Sequence, residues 1–409
     1  MSPFLQLAAI IVIILLAAKL SGYLATRIGQ PSVLGELIVG LLLGPSLLNI
    51  THLPFVADTH LHETVHLLGE FGVLLLMFLA GMELHISDLR QQFKVSAYAG
   101  ILGVIFPVLF GWGIGSAFGM NTAGSLFLGL TMGATSVSIS VQTLMELKML
   151  RTRVGLGLLG SAVFDDVLVI ILLSIFLALV SGGGTVLAIL LIFGKILLFM
   201  ALSVAVGIWV LPKLAHAVSQ RPISQGMLTL SLVVMLIYGL AAELIGGMAA
   251  ITGTFIAGLM FSRSPEKQRL ESGLRAIGYS FFIPIFFVSI GLSLDLRELQ
   301  VNALWMLLAI SLLAILGKLI GSGLGAKIAG FTNREAMQLG AGMISRGEVG
   351  LIVATVGINN GLVNTNEFSA VVGMVVITTV VTPPFLRALF EKPKNVEADA
   401  STSTEAEEV

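Results

Sequence analysis

The sequence predicts an all-α polytopic membrane protein, and three observations carry that prediction. Hydrophobic residues make up 56% of its 409 positions and charged residues only 11%, with a mean hydropathy of +1.01, whereas charged residues alone make up about 25% of soluble domains. The apolar segments are long and unbroken rather than ten-residue alternations, which selects helices over an outer-membrane barrel. Lys and Arg fall unequally between alternate loops, as cytoplasmic loops require. The same composition excludes other classes. A formal net charge of −1 gives no ground for nucleic-acid binding. The absence of cysteine excludes disulfides, thiolate metal sites and thiol nucleophiles.

Apolar windows of about 20 residues place thirteen spans in order along the chain. The first six are Pro3–Thr26, Pro31–Leu48, Val65–Glu83, Val95–Phe118, Gly124–Leu147 and Val154–Val180. A seventh covers Thr185–Val218, and the last six are Ser224–Leu244, Gly247–Phe261, Gly273–Leu294, Ala303–Ile328, Ala336–Gly357 and Phe368–Leu386. The first span has no basic stretch before it and meets its first positive charge only at Lys19, so it is expected to be a retained helix that starts outside. With that orientation, seventeen of the 22 Lys and Arg lie in inside loops and Arg297 alone lies outside. The other four, Lys19, Lys195, Lys318 and Arg346, lie within or at the ends of spans. The loop near His60 is thereby expected outside, and the loop near Arg269 and the C-terminus in the cytoplasm.

The chain repeats itself. GELIVGLLLG (Gly35–Gly44) recurs as GTFIAGLMFS (Gly253–Ser262), Phe71–Leu84 recurs as Phe281–Leu294, and Ser161–Ile170 recurs as Ser369–Thr378. The offsets are 218, 210 and 208 residues, and each pair lies seven spans apart. An odd offset turns the second copy upside down in the membrane. The expected plan is two inverted six-helix repeats (3–180 and 224–386) joined by a linker helix (185–218), a design used by secondary transporters with ion sites near the midplane. Residues 387–409 read as a short, acidic, disordered tail. No soluble regulatory domain is expected in this chain.

Two adjacent acids, Asp165 and Asp166, interrupt the sixth span. A carboxylate at the bilayer centre costs about 2.5–3.5 kcal/mol on insertion scales, so intramembrane acids mark function or a buried ion pair. The repeat carries Gly373 and Met374 at these positions, so the acids are an addition to one copy. Consecutive helical residues point about 100° apart; one acid can be held by a base while the other faces an ion path. Lys318 is the best base, set beside the ladder Gly317, Gly321 and Gly325 that lets another helix approach closely. The alternative for Lys318 is snorkelling to the surface.

In the fifth span Thr135, Ser136 and Ser138 concentrate hydroxyls at mid-membrane, and in the twelfth Ser345, Arg346 and Glu348 lie at a similar depth. Aligning Gly133 with Gly342 superposes Ser136 on Ser345. Both stretches suit discontinuous helices, whose freed carbonyls and half-helix ends coordinate a cation or offset charge. Their structural alternatives are hydroxyl back-bonding in a continuous helix and an Arg346–Glu348 ion-pair clamp. Glu70, Glu83 and Glu243 lie near span ends, and Glu36 and Lys195 are assigned to helix interfaces. His52, His60, His62 and His66 cluster at an outside loop and read as solvated rather than as a metal site.

The FDD motif of the sixth span, the TSVS stretch, the Lys of GKLIGSGLGAK and ISRGEVGLIVA together resemble the NapA-type bacterial sodium/proton antiporters of the cation:proton antiporter superfamily, over Pro3 to Leu386. The resemblance implies a thirteen-helix fold with a dimerisation domain and a mobile core holding crossed discontinuous helices, an elevator-like motion, a homodimer and a cell inner membrane. It implies that Asp166 is the principal ion carrier and that Asp165 pairs with Lys318. The expected activity is exchange of Na+, then Li+, for protons at Asp166 and Asp165, with no cofactor and no enzymatic step; a K+/H+ antiporter is the alternative. From other classes, an intramembrane aspartyl protease needs its two acids on separate helices, and a channel or ion sensor needs a continuous polar pore.

Overall fold

The computed structural model describes residues 2–50, 61–180, 186–264, 266–292 and 304–390. These residues form α1 (Pro3–Arg27), α2 (Ser32–Leu43), α3 (Leu61–Glu83), α4 (Ile86–Gln91), α5 (Phe93–Ala117), α6 (Thr122–Gly133), α7 (Val137–Glu146), α8 (Arg153–Val180) and α9 (Val186–Trp209). They continue as α10 (Leu211–Ser219), α11 (Gly226–Ala241), α12 (Ala250–Phe261), α13 (Lys267–Ile277), α14 (Ile283–Leu292), α15 (Leu304–Ile328), α16 (Asn333–Gly342), α17 (Glu348–Asn359) and α18 (Thr365–Phe390). Among the described residues, ten stretches are long and apolar enough to cross a membrane, and α2 and α12 are shorter apolar helices. The chain is a multi-pass, all-helical membrane protein. The loop holding His52 and His60, and the tail from residue 391 onward, lie outside the described residues, as does the side chain of His62.

The helices pack as two groups. In one, α2 lies on α1 and α14, and α12 lies on α3 and α11, with α9 beside it. In the other, α5 is sandwiched by α15, α6 and α8, while α16 and α18 flank α15. The glycine ladder of α15 is the seam of that second group. A Cβ on Gly321 would collide with the backbone of Leu102, and one on Gly317 would stand 3.1 Å from the Cα of Pro107, so only glycine lets α5 approach so closely.

Several elements depart from the expected spans for local reasons. The seventh span is kinked at Val210, where α9 gives way to α10 with a proline in its first turn, the position where a missing N–H is tolerated. The tenth span begins at Lys267, so three basic residues assigned to the preceding loop lie on α13. It passes through a π-helical turn at Gly278–Phe282 immediately before Pro284. The extra residue absorbs the hydrogen bond that proline cannot make. α18 runs past Leu386 to Phe390, and the freed carbonyl of Leu389 accepts from Gln338 Nε2 at 2.9 Å and Arg334 Nη2 at 3.3 Å. Lys195 is exposed on α9 rather than buried at an interface within the chain. Glu36 is buried on α2 against α1.

Candidate functional site

The fifth span is two helices. α6 starts on an Asn121 cap, whose side chain accepts from the Gly124 N–H at 2.7 Å, and ends at Gly133; Ala134 and Ser136 are extended before α7 begins. The twelfth span is broken likewise. α16 opens with a capping box of Thr332 and Glu335 and stops at Gly342, and α17 starts at Glu348. The two interruptions meet. The Ser136 N–H donates to the Ser345 carbonyl at 3.0 Å, and the Ser345 hydroxyl donates back to the Ser136 carbonyl. A Cβ on Gly347 would lie 2.7 Å from Ser136 Oγ and 2.8 Å from its Cβ, which is why glycine stands at this crossing.

Irregular backbone at membrane depth survives only where its polar groups are satisfied inside the protein. Here every participant is buried. Ser140 Oγ donates to the Gly342 carbonyl at 2.6 Å, closing the C-terminus of α16. Ser136 and Ser138 share a 3.0 Å hydroxyl contact, and Thr135 Oγ1 reaches back to the Gly133 carbonyl at 3.5 Å. Thr379 of α18 donates to the carbonyl of Arg346.

Arg346, fully buried, binds carbonyls of three segments. It donates to Met132 of α6 from Nε (3.0 Å) and Nη2 (2.6 Å), to Met343 at 3.2 Å and Ile344 at the end of α16, and to Ala314 of α15 at 3.3 Å. The carbonyls of Met132, Met343 and Ile344 lie where two half-helices stop and carry the negative end of each dipole. The discontinuous-helix carbonyls expected to hold a cation are thus largely engaged by a permanent one. The Glu348 side chain lies outside the described residues, and the clamp expected of it is not among the described contacts.

The two acids of α8 diverge as the helical period requires. Asp165 is fully buried and its Oδ1 forms an ion pair with the equally buried Lys318 of α15. Its Oδ2 is buried without a hydrogen-bond partner among the described residues. Thr135 and Arg346 are neighbours of the same carboxyl. Asp166 keeps 8% of its surface exposed and opens on a small cleft between the two helix groups, lined also by Met77, Val137, Leu159, Thr252 and Phe255. Val137 is the first residue of α7, so the N-terminal end of a half-helix borders the same cleft. Thr252 of α12 donates to Asp166 Oδ2 at 3.1 Å.

Sequence reasoning did not single out Thr252, Thr379 or Ser140. Each stands near other hydroxyls in an apolar run, a pattern also produced by back-bonding to the preceding turn, as Thr131 and Thr143 do here. Among the described residues no group of three or more His, Asp or Glu could hold a metal ion. His66 is exposed and pairs with Glu70 at 3.6 Å.

A family model described as "Sodium/hydrogen exchanger, transmembrane" matches residues 11–392. The chain is 38% identical to the Na(+)/H(+)-K(+) antiporter GerN of Bacillus cereus over 93% of this chain and 95% of that protein. It is 36% identical to a Na(+)/H(+) antiporter of Enterococcus hirae, over 95% and 99% respectively. In fold it is similar to the sodium proton antiporter MjNhaP1 of Methanocaldococcus jannaschii at pH 8, with a TM-score of 0.65 at 16% identity, covering 95% of this chain and all of that one. The buried acid pair, its lysine and the crossed half-helices therefore belong to a chain that is a member of the transmembrane sodium/hydrogen exchanger family of cation:proton antiporters, which are transporters and not enzymes.

Proposed function

We propose that this protein exchanges a monovalent cation, Na+ first and Li+ next, for protons across a cell inner membrane by alternating access, as a NapA-type antiporter. The observation that carries the reading is the adjacent acid pair, one member held by a buried lysine and the next open to a cleft. Asp165 presents one buried oxygen without a hydrogen-bond partner among the described residues, Lys318 holds its other oxygen, and the following residue, Asp166, borders the cleft. Hard oxygen ligands suit Na+, and a cation that attracts Asp165 competes directly with the lysine.

The cycle follows from the charges. With Asp165, Asp166, Lys318 and Arg346 all ionised, the buried set sums to zero. An arriving Na+ draws Asp165 from Lys318, which gives up its proton; Asp166 has already given up another. Two protons then exchange for one Na+, and the cycle moves one net charge. A K+/H+ exchange by the same groups is the second reading, favoured by the name of the Bacillus cereus relative, which includes K(+).

The wider architecture is part of the same reading. The short helices α2 and α12 each pack on the third span of the opposite repeat, α14 and α3 respectively, and α5 pairs with α15. That exchange of partners supports thirteen spans in two inverted repeats, with repeat one over 3–180, the linker over 185–218 and repeat two over 224–386. The α1, α2, α3 and α9–α14 group is the natural scaffold of a homodimer, and the group holding the acids is the moving core. The N-terminus lies outside and the C-terminus in the cytoplasm.

Proteoliposomes test the activity. Wild-type protein is expected to drive proton movement on a sodium gradient, saturably, with Li+ substituting. Asp166→Asn keeps the side chain's shape and removes its charge, so the variant is expected to remain folded and to lose exchange. Normal sodium-driven proton movement in Asp166→Asn would remove that residue from the mechanism.

A further inference from the structure

The geometry points to Thr252 as a positioning residue that prevents the bare, charged form of Asp166 from crossing, and so keeps the exchange at its full proton count; this rests on the function proposed above. Thr252 is 3% exposed on α12, in the helix group of α3 and α11, whereas Asp166 is on α8, which packs on α5 in the other group. Their bond, Oγ1 to Oδ2 at 3.1 Å, ties the two groups together at the carboxylate itself. Any sliding of one group past the other breaks it.

Net charge makes such a tie necessary. The Na+-loaded site, with Lys318 neutral, and the bare site, with Lys318 charged, both sum to zero, so electrostatics alone does not hold the bare form back. A hydroxyl donated to an ionised carboxylate is a charge-assisted hydrogen bond, stronger than one donated to a neutral group. The Thr252 bond is therefore strongest when Asp166 carries neither cation nor proton, and weakens when either arrives. It restrains the one form whose crossing wastes the gradient. The cleft walls around it, Met77, Leu159 and Phe255, are apolar.

If the bare form crosses, Lys318 still carries its proton back and Asp166 carries none. The product is one proton per Na+ instead of two, with no net charge moved. Thr252→Val removes the hydroxyl and keeps the shape. With purified protein in proteoliposomes, the ratio of proton flux to radioactive Na+ flux is expected to fall from two toward one in Thr252→Val, and the response of the rate to an imposed voltage to fall with it. Thr252→Ser is expected to restore both. The ratio does not depend on how much protein folds, so a merely structural defect lowers the rate and leaves the ratio at two. Thr252→Ala repeats the measurement if the valine variant does not assemble. A ratio of two in the hydroxyl-free variant overturns the role of Thr252; a wild type without exchange, or with a ratio of one, overturns the cycle on which it rests.

Discussion

Arg346 and Met132 stand 214 positions apart, yet the Met132 carbonyl accepts two hydrogen bonds from one guanidinium, at 3.0 and 2.6 Å. The arginine joins the ends of two half-helices from opposite halves of the chain. Its charge offsets their dipoles and the Asp165 carboxylate together.

Arg346→Gln is expected to leave several buried carbonyls unsatisfied and Asp165 short of a neighbouring positive charge. Removing one partner from a buried ionic network destabilises by about 3–5 kcal/mol, so the thermal midpoint in detergent is expected to fall by many degrees. Arg346→Lys is expected to rescue little, because a single ammonium cannot fork between α6, α15 and α16. A lysine variant with wild-type stability would show that charge alone suffices.

The charge count bears on Lys318. Lys318→Gln removes one titrating group, so surviving exchange is expected to run at one proton per Na+ and to ignore an imposed voltage, which otherwise acts on a transported charge with about 2.3 kcal/mol per 100 mV. The measurement is exchange rate against voltage in proteoliposomes. Undiminished voltage dependence would reduce Lys318 to a fold-stabilising group.

Gly321→Val places a branched side chain against the backbone of Leu102. Overpacking of this kind costs about 1–3 kcal/mol or more. The expected result is a lower melting temperature with α5 and α15 forced apart, and loss of the Lys318–Asp165 alignment. A neutral outcome would mean that the seam yields easily.

Orientation is checked in the cysteine-free background. Arg269 on α13 and Asn360 after α17 are both exposed. Cysteine at position 269 is expected to react with impermeant reagent only from the cytoplasmic side, and cysteine at 360 only from outside. Labelling of both from one side would overturn the inverted-repeat plan.

Apolar run length and the Lys/Arg bias were enough for the membrane class and for most helix positions, because the bilayer imposes both on any chain. The break at Val210 and the π-helical turn before Pro284 were not marked in the spans, since hydropathy does not respond to a changed hydrogen-bond register. The acids, Lys318 and the two serine-rich stretches were legible for a simple reason: polar groups are expensive in lipid and therefore rare. Partners were harder. That one acid of the pair meets Lys318 follows from charge, but neither reading of Arg346, in a discontinuous helix or in a clamp with Glu348, named the carbonyls of Met132, Ala314, Met343 and Ile344 that it binds.

By itself, then, the sequence determined that this chain is a bundle of membrane helices with an acid pair at its centre, because period, length and charge are local properties. Only the tertiary structure decided which acid meets the lysine, that the half-helix ends are filled by Arg346, and that Thr252 reaches Asp166 from another group of helices. A hydrogen bond depends on direction and on distances of about 3 Å, and those are set where the two halves of the chain cross.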